Sequence, residues 1–165
     1  MDQRFRVEPG ERVLIYGIGN VGRQDDGLGV RLVESLEADG GLGAGIAYET
    51  GYQLNIEDAL LLSEFDVVLF VDAAVSGHAR EPFQVERLEP SAGVEFSTHA
   101  MRPESVLSLC EELYQRRPRA YMLALPGYEW DIQDQLSEPA ARNMRRALTQ
   151  MIEEIRCMRS RSSQV

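Results

Sequence analysis

Seven residues, DVVLFVD from Asp66 to Asp72, put a buried strand near the middle of any fold open to this chain. The five apolar side chains between the two acids leave no polar face, and the run has strand length rather than helix length. It reads as the central strand. Val13 to Tyr16, Gly45 to Glu49, Phe83 to Leu88 and Ala120 to Leu125 are further strand candidates. Helical spacing fills the gaps between them. Gly27 to Ala38 carries Leu28, Val30, Leu32, Val33 and Leu36 on one face, and a glycine-rich loop ends it. Asn55 is placed to cap a helix over Ile56 to Leu62, and Pro103 opens another that stops at Arg116-Arg117-Pro118. A long helix from Pro139 to Met158 sets Met144, Leu148, Met151, Ile155 and Met158 along one side. Strands alternating with such helices predict right-handed crossovers. The expected fold is α/β: a single-domain three-layer sandwich with a mostly parallel twisted sheet and helices on both faces.

Residues 1–158 are expected to form that domain and 159–165 a disordered tail, since no Pro/Gly/Ser linker or repeat divides the 165 residues. A chain of this length buries about 70% of its unfolded surface and needs no disulfide or structural metal to fold. The net charge is −10, and the 17 basic residues form no stripe, which argues against a nucleic-acid partner. Cys110 and Cys157 lie far apart and suit a reducing compartment. No apolar stretch approaches a signal peptide or the about 20 residues of a membrane span. A cytoplasmic protein without a membrane partner is expected.

Chemistry concentrates where the first strand turns into the first helix, in VLIYGIGNVGRQDDGLGV. Gly17 and Gly19 permit a sharp turn, and Asp25 and Asp26 follow at the start of the helix. Helix starts attract anions, so two carboxylates there favour a cation instead. In an open parallel sheet, ligands bind beyond the carboxyl ends of the strands, and Asn20, Asp25, Asp26 and Asp72 all belong to that edge. A rival reading exists. GIGNVG matches the dinucleotide fingerprint G-x-G-x-x-G, with Glu49 where a ribose-binding acid would stand. Against it, Gly27 and Gly29 follow where that fingerprint needs helix interior, each costing up to about 1 kcal/mol relative to alanine.

His99, in the loop FSTHAMRPE, is the histidine placed to complete a site, and His78 lies in a surface-like loop. Two carboxylates from adjacent strand ends plus one imidazole suit a borderline divalent ion such as nickel or zinc and leave positions open. Taken singly, each residue has a plainer role: a loop histidine in solvent, Asp72 capping the next turn, the acid pair as a charged first helical turn.

The run GIGNVGRQDDGLGV resembles the amino-terminal signature of the nickel-iron hydrogenase maturation endopeptidases, in which a G-x-G-N turn is followed by an acid pair, glycine, one residue and glycine. FVDAAVSG is similar to the family's strand ending in Asp-Ala, and STHAM to its histidine loop. The motifs come in the family's order, over about residues 12–157. The resemblance implies an endopeptidase that removes a carboxyl-terminal extension from the nickel-loaded precursor of the hydrogenase large subunit. It also implies that Asp26, Asp72 and His99 are the catalytic and metal-contacting residues. Residue chemistry alone leaves Asp25 and Asp26 as equals; the resemblance selects Asp26. Nickel would arrive on the substrate, with other divalent ions able to occupy the site in isolation, and either a carboxylate or a metal-bound water would supply the nucleophile.

Where relatives carry a glycine-rich Asp-Gly-Gly-Thr type of segment after the second strand, this chain has Glu49-Thr50-Gly51-Tyr52-Gln53-Leu54, a loop placed to set partner choice. The Tyr128-Glu129-Trp130-Asp131 loop is a second candidate contact, although Trp130 could equally cap the core. The terminal-helix methionines and Cys110, on the face of Val106 and Leu113, read as core. No activated cysteine or serine triad is suggested, which leaves covalent catalysis unsupported. Two other classes remain open: a dinucleotide-binding oxidoreductase and a nickel chaperone that binds the same precursor without cutting it.

Overall fold

A computed structural model describes residues 4–91 and 101–162. Five strands form one sheet in the order β2-β1-β3-β5-β4, with β1 at Val13–Ile18, β2 at Ile46–Gly51, β3 at Val67–Val75, β4 at Gln84–Leu88 and β5 at Arg119–Gly127. The first four in that spatial order run parallel, and β4 closes one edge antiparallel to β5. The Asp66 to Asp72 run does supply the middle strand. Helices α1 (Leu28–Asp39) and α4 (Glu138–Ser162) belong to one face, α2 (Asp58–Leu62) and α3 (Pro103–Tyr114) to the other. This is the expected three-layer α/β sandwich.

The period-2 alternation of each strand feeds the two cores. Val13, Ile15, Leu69, Val71 and Leu123 meet Leu32, Leu36, Ala147 and Met151 on one side. Leu14, Tyr16, Val68 and Phe70 meet Leu62, Val106 and Cys110 on the other. Met144, Leu148 and Met158 pack against the first core, as their spacing requires. Leu113 departs from its expected place beside Cys110 and is 51% exposed, because it falls in the last turn of α3 where the helix leaves the sheet.

Several boundaries move outward. β3 and β5 pair from Val67↔Arg119 to Val75↔Gly127, past the end of their apolar runs, since backbone ladders continue until a turn stops them. α4 continues through Arg159–Ser162 rather than ending at Met158. Asn55 does not cap α2 with its side chain; instead Asp58 accepts the Asn55 amide at 2.9 Å and the Tyr16 hydroxyl at 3.0 Å.

α1 lies unusually close to the sheet. A methyl group on Gly29 would collide with the Val71 carbonyl and stand 2.7 Å from that of Ile18. Glycine at 29 therefore buys the short helix-to-strand distance that seats the preceding turn on β3.

Candidate active site at the carboxyl edge of the sheet

β1 stops pairing with β3 at Gly17↔Val71, whereas β3 continues beside β5. Asp72 is the first residue of that projecting piece, and the turn between β1 and α1 fills the space that β1 vacates. This turn contains a 3-10 turn over Gln24–Gly27. The amides of residues 19, 20 and 22–26 are occupied. Gly19 donates to the Gly51 carbonyl at 3.0 Å, Asn20 to Asp26 Oδ2 at 3.0 Å and Gly22 to Asn20 Oδ1 at 2.9 Å. Arg23 and Asp26 donate within the turn, and Gln24 and Asp25 donate to the carbonyls of Gln133 and Glu129. A pyrophosphate would need several of these groups free. The chain's own carboxylate occupies the Asn20 amide, and Glu49 is exposed with its carboxylate turned back on the Thr50 amide. The turn therefore matches the dinucleotide fingerprint in letters but not in available donors.

The two neighbouring acids have opposite surroundings. Asp25 is fully buried. Oδ1 accepts the Ser137 amide at 2.8 Å, and Oδ2 accepts the Ser137 hydroxyl and the amides of Tyr128 and Glu129 at 2.6, 2.8 and 3.0 Å. Burial pushes its carboxyl upward, but these donors outweigh burial and hold it below the usual carboxylate value. Asp25 is thus an anionic tie between the turn and the start of α4. Asp26 is half-buried, and its Oδ2 accepts the Asn20 amide.

Asp72 shares the face of Val68 and Phe70, the side covered by α2 and α3. Its Oδ1 accepts the Ala73 amide at 2.8 Å. Burial, helped by the charge of Asp26, raises its pKa to about 7 against the lowering effect of that hydrogen bond. Asp26 and Asp72 are therefore electrostatic neighbours. His99 lies outside the described residues, which resume at Met101 directly before α3 on the same face. Among the described residues no three metal-binding side chains converge. His78 is exposed in the turn after β3.

Sequence reasoning missed two contributors. Ser137 and Gln24 hold the turn to the loop before α4: Gln24 is buried, donates to Glu129 Oε2 at 3.1 Å and accepts from the Asp131 amide at 2.9 Å. Tyr52, in the loop that sequence reasoning set beside the site, joins them, its hydroxyl accepting from Asn20 Nδ2 at 2.6 Å. The polar SEP motif before α4 could have flagged Ser137 as a cap; nothing local marks its bond to Asp25. Trp130 rests on Gly127, so its ring is tied to the end of β5.

The α/β sandwich is a fold that the chain shares with solved structures of [NiFe] hydrogenase maturation proteases. The chain is similar to the [NiFe] hydrogenase maturation protease HycI from Thermococcus kodakarensis KOD1, with 23% identity over 90% of this chain and 95% of that one and a TM-score of 0.71. It is also similar to the hydrogenase maturating endopeptidase HybD from E. coli, with 21% identity, coverage of 88% and 92%, and a TM-score of 0.67. A solution structure of an endopeptidase from Escherichia coli matches at 21% identity, 85% and 89% coverage and a TM-score of 0.65. No family model and no curated protein sequence matches the chain.

Proposed function

We propose that this protein is a hydrogenase maturation endopeptidase that removes the carboxyl-terminal extension of a nickel-loaded large-subunit precursor, with the substrate-borne nickel as its recognition element. The observation that carries this reading is the unequal use of the acid pair. Asp25 is consumed by four donors, whereas Asp26 stays half-buried at the carboxyl edge of the sheet and charges the environment of Asp72. Two acids held near one another at partial burial gain from a divalent cation, which offsets both their repulsion and their desolvation. The shared fold with proteins named as hydrogenase maturation endopeptidases supports the same reading.

In this account Asp26 and Asp72, with His99 as the resemblance implies, contact the nickel that the precursor brings. Fixing that ion fixes the peptide bond beside it, so the protein contributes mainly orientation. The Asn20 amide holds Asp26 Oδ2 in place, and the Ala73 amide does the same for Asp72 Oδ1. The no-cut alternative, a nickel chaperone, uses the same crevice. Asp26→Asn separates the two: with nickel-loaded precursor, the endopeptidase reading requires that the wild type shorten the precursor and the variant leave it full-length while still co-eluting with it. A wild type that co-elutes with full-length precursor favours the chaperone.

A further inference from the structure

Among the described residues, four of the eight exposed large apolar side chains belong to four different loops at one end of the molecule. Val21 (41% exposed) follows β1, Tyr52 (68%) follows β2, Val75 (59%) ends β3 and Ile132 (89%) follows β5. Scattered surface apolar residues need no explanation, but these share the sheet edge that holds Asp26 and Asp72. The loops are also fastened together. Tyr52 accepts from Asn20, which adjoins Val21; Gln24 binds the Gln133 carbonyl next to Ile132; and Ser76, next to Val75, donates to Gly127 at the end of β5. The apolar residues are thus mounted on loops tied to one another at the edge that holds the acids.

Charge at this edge is mainly acidic, with Arg23 and Arg102 as exposed bases among the acids. At the opposite edge, where the parallel strands begin, three acids are matched: Asp66 pairs with Arg116, Glu89 with Arg117 and Glu11 with Arg119. Glu49, Glu57, Glu129 and Asp131 are exposed at the carboxyl edge, and among the described residues no ion pair is formed by any of them. A surface of this kind steers a basic partner and rejects an acidic one.

We infer that Val21, Tyr52, Val75 and Ile132 form an apolar rim that docks a basic protein face carrying apolar side chains around its bound metal. This rests on the proposed function and names the occupant as the region of the nickel-loaded precursor surrounding its carboxyl-terminal extension. The rim supplies affinity through buried apolar area, and the unpaired acids supply approach rate and selectivity.

The test uses nickel-loaded precursor with wild type, Ile132→Asp, Val75→Asp and, as a surface control, Leu113→Asp, reading both cleavage and direct binding at several salt concentrations. The two rim variants should raise KM at least tenfold with kcat changed less than twofold, while Leu113→Asp matches wild type. Wild-type association should slow about tenfold between low and physiological salt. Normal KM in both rim variants, with an active wild type, overturns the rim and leaves the endopeptidase reading standing. A wild type that binds without cutting, and loses binding in the rim variants, overturns the endopeptidase and keeps the rim. Absence of both binding and cleavage overturns both. Unchanged melting temperatures of the variants verify that they fold.

Discussion

Asp25 grips Ser137 with both carboxylate oxygens, Oδ1 on its amide at 2.8 Å and Oδ2 on its hydroxyl at 2.6 Å. The Ser137 carbonyl in turn accepts the Ala141 amide at 2.9 Å, so the first acid of the sequence pair fastens the β1-to-α1 turn to the opening of α4.

Asp25→Asn should be destabilising even though it preserves shape. An amide NH2 cannot accept, and whichever oxygen it replaces faces at least one N–H donor. Charge-assisted hydrogen bonds of this kind are worth about 1.5–3 kcal/mol each, and a buried donor left unpaired costs about 1–3 kcal/mol, so a loss of ~3 kcal/mol in urea unfolding at pH 7 is expected. The pH dependence follows from the lowered native pKa. The stabilisation is complete above the unfolded value of 3.8 and is lost as pH falls through the lower native value. A variant within about 0.5 kcal/mol of wild type, the scatter of ordinary surface substitutions, contradicts the tie.

Asp72→Asn should do the opposite. Its native pKa is raised from 3.8 to about 7, so the folded state resists ionisation: there is no penalty below pH 4, a growing one from about 4 to 7, and the full one above 7. Asparagine carries no such penalty. The variant is expected to be more stable than wild type by about 1–3 kcal/mol at pH 8, and equal to it at pH 3, while losing precursor processing. Thermal unfolding at the two pH values reads the difference; lower stability at pH 8 would count against it.

Gly29→Ala should weaken the fold by about 3 kcal/mol or more, because its new methyl meets two backbone carbonyls, of Val71 and Ile18, that cannot swing aside. A melting temperature unchanged from wild type would show that α1 can retreat from β3 without loss.

Much of the fold is legible in the sequence because it rests on local signals. The Val67 to Val71 run, the helical spacing from Leu28 to Leu36 and the turn glycines each name an element independently of distant residues. The antiparallel edge strand β4 is harder, since Gln84–Leu88 alternates in the same way in either direction. The unequal fates of Asp25 and Asp26 are not legible at all from residue types. They depend on Ser137, Tyr128 and Glu129, more than a hundred positions away, and only the folded chain brings those donors to one carboxylate. For the same reason Trp130, prominent in sequence, rests against Gly127, while the neighbouring Ile132 stands in solvent. Of the trio Asp26, Asp72 and His99, the structure describes the surroundings of the two acids, and His99 falls outside the described residues.

Intact mass of the purified large-subunit precursor, incubated with this protein with and without nickel bound to the precursor, addresses the central claim most directly. The account predicts loss of a carboxyl-terminal peptide from the nickel-loaded precursor, no change in the nickel-free one, and no loss from either with Asp26→Asn. Cleavage of the nickel-free precursor at the same rate would contradict substrate-borne nickel as the recognition element, and an unchanged mass of the loaded precursor would contradict the endopeptidase itself.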